Sequence, residues 1–153
     1  SSVKIFSNQR INRVIEAADN QFLFETGSRD NLNRIRSKAV VIATGRFLSK
    51  GLVADRKKII EPLFGLDVSQ PGAREKWHDK EYFCPNGHAV NQAGIETDAA
   101  FRPVDDQGRP VYQGLFAAGS ILAHQDWIRS KCGSGLAVST AFKAVDCLSS
   151  SLT

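Results

Sequence analysis

The stretch AVVIATG, residues 39–45, decides the fold: Ala39 to Ala43 run apolar without alternation and stop at Thr44 and Gly45. A strand that is apolar at every position is buried on both faces, the habit of strands in parallel sheets. A second stretch, LFAAGS at residues 115–120, repeats the design, with Leu115 to Ala118 ending at Gly119 and Ser120. Two such strands predict an α/β core, and open parallel sheets gather their ligands beyond the carboxyl ends of their strands.

Working outward, residues 3–6, 11–17 and 22–25 are rich in Val, Ile and Phe and are separated by the turn formers Asn8-Gln9 and Asp19-Asn20. They predict a three-stranded antiparallel meander, with the polar, basic residues 31–38 as the lead-in to the first buried strand. From Arg46 to about Asn91, Pro62, Pro71, Pro85 and several glycines interrupt charged stretches, which predicts an irregular, partly helical insert. Regular structure is expected again at 94–98 and 101–103, followed by a turn at Asp105-Asp106-Gln107-Gly108. The best helix spans residues 136–148, where Leu136, Val138, Phe142, Val145 and Leu148 form an apolar stripe. Ala137, Ala141 and Ala144 add helix propensity and permit close packing. The chain thus divides into 1–45 with the meander and first buried strand, 46–93 as insert, and 94–153 with the second strand and the helix.

Composition narrows the function classes. With 42% hydrophobic and 24% charged residues over 153 positions, the chain owns a core. Its net charge of +4 is spread along the sequence, so nothing favours nucleic acid as a partner. No apolar run approaches the 18 or so residues that cross a bilayer. Three cysteines, Cys84, Cys132 and Cys147, fit neither a disulfide framework nor a four-cysteine zinc site, and point to a reducing cytoplasm. The chain has no Met and opens on what reads as a strand, so a piece of a longer or processed protein is expected.

The chemistry concentrates at residues 132–136, Cys132-Gly133-Ser134-Gly135-Leu136. A glycine-rich approach to a helix leaves unpaired N–H groups at the positive end of the helix dipole, and glycine lets a ligand come close. Such a cradle suits a phosphate or the electron-rich edge of a flavin; the alternative is a tight turn with Ser134 as N-cap. No Gly-x-Gly-x-x-Gly turn occurs, so any dinucleotide-binding domain here is incomplete. Cys84 with His88, and His124 with Asp126, offer too few ligands for a metal, and none is expected. His124, Asp126, Arg129 and Lys131 lie between Gly119 and Gly133, near a ligand if those glycines flank one and otherwise in a solvated loop. Lys76, His78, Asp79 and Lys80 read as solvated surface, and Cys132, without a Cys-x-x-Cys partner, as a packing or turn residue.

The ordered set IRSKAVVIATGRFLSKGLVA, GIETDAAFRP and GLFAAGSILAHQDWIRSKCGSGLAVSTAF resembles the carboxy-terminal part of flavoproteins of the fumarate reductase and succinate dehydrogenase superfamily. Within it, the likeness is greatest to the family of B subunits of anaerobic glycerol-3-phosphate dehydrogenases. The resemblance implies an incomplete Rossmann-like FAD- or FMN-binding domain, with a β-meander and an insert, whose glycine turn and ribose-binding acid lie upstream of Ser1. It implies that Thr44 and Gly45 sit near the adenosine or phosphate side, Gly119 and Ser120 beside the ribityl chain, and Gly133, Ser134, Gly135 and Leu136 under the flavin pyrimidine ring. Related flavoproteins often carry Glu or Asp where Ser120 stands, and the catalytic Arg and His of fumarate reductases are not reproduced within 125–132.

The implied activity is oxidation of glycerol 3-phosphate to dihydroxyacetone phosphate, with electrons passing toward quinone. The implied cofactor is FMN (or FAD), and the implied partners are an FAD-containing catalytic subunit and an iron-sulfur membrane-anchor subunit. The implied place is cytoplasmic, on the inner face of the cell membrane through those partners. This chain alone is expected to be inactive and to hold flavin weakly or not at all. The alternatives are a stand-alone fumarate reductase-like FAD oxidoreductase and a subunit-docking module without a cofactor.

Overall fold

The computed structural model describes residues 3–19, 21–28 and 31–152. The meander consists of β1 (Ile11–Ala18), β2 (Gln21–Ser28) and β3 (Asn31–Ser37), paired antiparallel in that order. In β2 the residues Phe22, Phe24 and Thr26 are buried and alternate with more exposed neighbours, the period-two pattern of a sheet with one face on a core. Two sequence expectations fail here. Residues 3–6 form no strand, and Val3, Ile5 and Phe6 are exposed. The third strand is the polar stretch after the β2 turn: Phe24 pairs with Ile35 and Phe22 with Ser37. Both faces of β3 are largely wet, with Leu32 exposed and Ile35 half-buried, so it lacks the apolar alternation that marks a strand in sequence. Near the end of β2, opposite Leu32, Gly27 lies at φ 105°, where a Cβ would stand 2.1 Å from the Asn31 carbonyl oxygen.

The two buried stretches form β4 (Val40–Ile42) and β5, Leu115–Ala117, which pair in parallel with Val40 opposite Leu115 and Ile42 opposite Ala117. Alternate side chains divide between two cores. On one side Val40, Ile42, Leu115 and Ala117 pack with Phe22, Phe24, Phe64 and Tyr112 beneath the meander. On the other side Val41 and Phe116 meet Ala141, Ala144, Cys147 and Leu148 of the helix α2 (Gly133–Ser151). The sheet is therefore sandwiched between a meander and a helix.

That helix begins three residues earlier than its periodicity predicts and packs through a different face. Its buried positions are Thr140 and Ala144, whereas Val138 and Phe142 are 72% and 75% exposed and Val145 is also exposed. Small side chains let the helix axis approach Phe116 and Ala118, and of the apolar stripe Val138, Phe142 and Val145 point away while Leu148 packs on the sheet.

Between the parallel strands, residues 43–114 are held by short pieces. A hairpin pairs Val53–Ala54 with Ile59–Ile60, and a second antiparallel pair joins Val68–Ser69 to Gly94–Ile95. The helical content of this region is limited to the 3-10 turns Arg74–Lys76 and Ala89–Gln92. Of the strands expected at 94–98 and 101–103, Gly94–Ile95 forms, with isolated bridges of Ile95 to Leu122 and of Thr97 to Pro103. The turn at Asp105 is present, with the Asp105 carboxylate accepting from the N–H groups of Gln107 and Arg109 at 2.9 Å. Among the described residues no helix is long and apolar enough to cross a membrane.

Candidate functional site

The carboxyl ends of β4 and β5 open side by side. Gly45 follows β4 at φ 68° and Gly119 follows β5 at φ 78°, a conformation that costs glycine little and other residues more. A Cβ built on Gly45 would stand 2.5 Å from Ser49 Oγ and 3.7 Å from Ser120 Oγ, so the two strand ends nearly touch. The first turns of α2 complete the corner. A Cβ on Gly119 would lie 4.0 Å from Ala137 Cα. The Gly119 N–H donates to Thr140 Oγ1 at 2.8 Å, and that hydroxyl donates to the Leu136 carbonyl at 2.6 Å. Thr140 thereby ties the second strand end to the amino-terminal half of the helix.

The structure brings Gly45, Gly119, Ser120 and residues 136–140 of α2 together, whereas Thr44, next to Gly45, lines a different cavity. Gly45 and Ser120 line an apolar cavity of about 390 Å³ with Arg46, Phe47, Leu48 and Ile128. Thr44 lines a second cavity of about 410 Å³, with Arg10, Lys50 and Glu61. Gly133, Ser134, Gly135 and Leu136 wall neither cavity. Cys132, not Ser134, is the N-cap of α2, and its side chain makes no capping bond. Ser134 and Gly135 are exposed, and nothing lies within 4 Å of a Cβ built on Gly135. The first-turn amides of a helix have no intrahelical acceptors, so this end offers donors to whatever approaches it.

Arg46, which carries no motif in the sequence, lies 8% exposed at the centre of the arrangement. Its Nη2 donates to the carbonyls of Leu122 and Gln125, both at 3.0 Å, its Nε to the Ser120 carbonyl and its Nη1 to the Asn91 carbonyl. Burial pulls its pKa below the usual arginine value, and the charge of Asp126 opposes that shift. Asp126 caps the short helix α1 (Trp127–Ser130) by accepting from the Arg129 N–H at 3.1 Å. Its Oδ2 is buried and without a hydrogen-bond partner among the described residues.

The remaining polar candidates are engaged elsewhere. His124, at φ 63°, pairs with Glu96 at 3.0 Å, and Glu96 is held below the usual carboxylate range by the Ser69 hydroxyl and by His124. Arg129 donates to the Asn86 carbonyl, and Lys131 is the left-handed C-cap of α1. His88 accepts from the Asp79 N–H and donates to the Tyr82 carbonyl, both at 3.1 Å, which occupies its two nitrogens inside its own loop. Among the described residues no group of three His, Cys, Asp or Glu side chains could hold a metal.

A family model described as an FAD binding domain matches residues 12–136. The chain belongs to the FAD binding domain family. The match spans the meander, both parallel strands, the region between them and the first turn of α2. Among curated proteins, the chain is similar to the anaerobic glycerol-3-phosphate dehydrogenase B subunit of Vibrio vulnificus (strain CMCP6), 39% identical over 111 residues, 72% of this chain and 25% of that protein. It is 33% identical to the protein of the same name from Aliivibrio fischeri (strain MJ11) over 140 residues, 92% of this chain and 28% of that one. It is 35% identical over 104 residues to the protein named as the probable B subunit of the same dehydrogenase in Halobacterium salinarum (strain ATCC 29341 / DSM 671 / R1), 68% of this chain and 24% of the other. The chain spans about a quarter of the length of these relatives. No solved structure matches it. The family bears out the flavin class of cofactor expected from the sequence, with FAD as the form that the family description names.

The residues present suit one part of such a cofactor. A left-handed glycine stands at each strand end, Ser120 places a hydroxyl between them, and Thr140 of α2 is bonded to Gly119 there. The sequence holds no glycine turn for the pyrophosphate.

Proposed function

We propose that the chain forms the carboxy-terminal part of the flavin-binding domain in a flavoprotein of the B-subunit type, within a complex that oxidises glycerol 3-phosphate to dihydroxyacetone phosphate and passes the electrons toward quinone. The observation that carries this reading is the corner of Gly45, Gly119, Ser120 and the start of α2 at the carboxyl ends of two parallel strands, in a chain of the FAD binding domain family. The names of the relatives supply the substrate class and the membership of a complex.

When bound, a flavin supplies the two-electron acceptor needed to turn a secondary alcohol into a ketone. The chain's own residues hold and shape. Ser120 Oγ hydrogen-bonds a ribityl hydroxyl, more weakly than the carboxylate it replaces in related flavoproteins. Gly133, Ser134, Gly135 and Leu136 present first-turn amides to the electron-rich edge of the ring, where the helix dipole stabilises added negative charge. Gly119, where a Cβ would meet only Ala137 Cα at 4.0 Å, leaves room for the close approach, and Phe47, Leu48 and Ile128 give the cavity beside Ser120 an apolar lining. Thr44, on the other side of the 44–51 turn, serves the adenosine or phosphate side. The partners are an FAD-containing catalytic subunit and an iron-sulfur anchor subunit that keeps the complex at the inner face of the cell membrane.

A direct test is titration of the chain with FAD, followed by fluorescence quenching. With no phosphate turn, binding is weak or absent, and where it is measurable Ser120→Ala weakens it several-fold further. Copurification of the chain as a stoichiometric yellow protein contradicts the incomplete site, and binding that Ser120→Ala leaves unchanged contradicts the flavin corner. A docking module without its own cofactor is the second reading, and the exposed stripe of Val138, Phe142 and Val145 favours it.

A further inference from the structure

Arg46 is a buried cation that no ion pair among the described residues neutralises. Taking a guanidinium out of water is costly, and the cost is met here chiefly by backbone dipoles, with the charge of Asp126 acting in the same direction. Four carbonyl groups from separate stretches of chain converge on it: Asn91 within the region between the parallel strands, Ser120 just past β5, and Leu122 and Gln125 on the way to α1. A guanidinium has five N–H donors in a rigid plane, and these contacts use four of them. Little remains to offer a ligand, so the side chain acts through the backbone it holds.

Its own main chain is fixed as firmly. The Arg46 carbonyl accepts from the N–H of Gly51 at 3.0 Å and of Leu52 at 3.3 Å, and from Ser49 Oγ at 3.2 Å, closing the turn that follows Gly45. Around the guanidinium, the two stretches it joins also bond directly: the His124 N–H donates to the Gln92 carbonyl at 2.8 Å and the Ala123 N–H to the Ile95 carbonyl at 2.9 Å. The residue thus links the end of β4, the end of β5 and the 3-10 turn Ala89–Gln92 of the intervening region at one point, beside the cavity that Ser120 lines.

We propose that Arg46 is a positioning residue of the flavin corner: by gripping the Ser120 carbonyl and the 122–125 backbone, it sets where the Ser120 hydroxyl meets the ribityl chain and couples that point to the region around Asn91. The proposal rests on the flavin reading above. It explains why an arginine, and not an apolar residue, fills a buried place next to an apolar cavity. An apolar side chain would leave four carbonyls without donors. A lysine cannot replace it, because an ammonium offers three donors from one nitrogen and cannot span acceptors set around a planar fork.

The test uses the 153-residue chain with Arg46→Lys and Arg46→Ala, read by amide hydrogen exchange and by FAD titration. In both variants the amides of Leu122, Ala123 and His124 exchange at least tenfold faster while those of β2 keep their protection, and the FAD dissociation constant rises about tenfold. Millimolar ethylguanidinium restores both readouts in Arg46→Ala, and ethylammonium does not. In Ser120→Ala, whose hydroxyl is gone, adding Arg46→Ala costs little further affinity. Unchanged exchange at 122–124, an equal rise across the whole chain, or full FAD affinity in a variant whose 122–124 segment has loosened each overturns the positioning role. Should the wild-type chain bind no FAD, the exchange at 122–124 alone decides the role of Arg46. Should the wild type bind and Arg46→Ala bind equally, only the role of Arg46 falls.

Discussion

A buried carboxylate shows how much a single residue can organise here. Glu61 is 3% exposed, and its two oxygens accept from the N–H groups of Leu63 and Phe64, both at 2.8 Å, and of Leu66 at 3.4 Å. These bonds fold the turn that carries Phe64 into the aromatic cluster with Phe22, Phe24 and Tyr112 beneath the meander. Replacing Glu61 with Gln keeps the shape but turns one acceptor into an NH2 facing backbone donors. Leaving such groups unpaired in the interior costs about 1–3 kcal/mol. Glu61→Gln is therefore expected to lower the stability read from urea unfolding by an amount in that range, and a loss below about 0.5 kcal/mol would mean that the turn is held by its apolar residues alone. Neither Glu61 nor Arg46 was legible in the sequence as a buried group. A charged residue is read as surface until its partners are known, and the partners here are backbone atoms, which every sequence supplies equally.

At the scale of elements, the parallel strands were legible because an unbroken apolar run followed by glycine has few other readings. The meander was legible in kind but shifted by one strand, since β3 is wet on both faces and residues 3–6, though apolar, have no partner strand. The helix was placed correctly and turned wrongly. Periodicity weighs hydrophobicity, whereas the contact with Phe116 and Ala118 selects for small size, so Thr140, Ala141 and Ala144 face the sheet and Phe142 does not. This orientation makes opposite forecasts for two substitutions on the same helix. Ala144→Leu inserts three carbons into a contact with no room and should cost about 1–3 kcal/mol. Phe142→Ser removes a ring that touches no core residue and should stay within about 0.5 kcal/mol. Thermal melts of the two variants decide the matter; the reverse order of effects would put the apolar stripe against the sheet.

For the molecule as a whole, the question is whether the corner at the strand ends exists for a ligand or only for the fold, and a glycine of α2 separates these possibilities. Gly45 and Gly119 cannot answer it, because both are left-handed and any substitution there strains the backbone. Gly135 can. It is exposed in the first turn of α2, its φ is not positive, and a Cβ built on it meets nothing within 4 Å. Glycine is a poor helix former, about 1 kcal/mol worse than alanine, and valine is better than glycine, so Gly135→Val should leave the chain as stable as before or slightly more so. A residue that weakens its own helix without easing any contact inside the fold is explained if something outside the chain must come close to that turn. The flavin reading makes that visitor the pyrimidine edge of the ring. Gly135→Val is thus expected to raise the FAD dissociation constant at least tenfold while the melting temperature holds or rises by a degree or two. Equal loss of stability and affinity would assign the glycine to the fold. Unchanged affinity at unchanged stability would leave the start of α2 an ordinary helix end, and the flavin corner would then consist of Gly45, Gly119 and Ser120 alone.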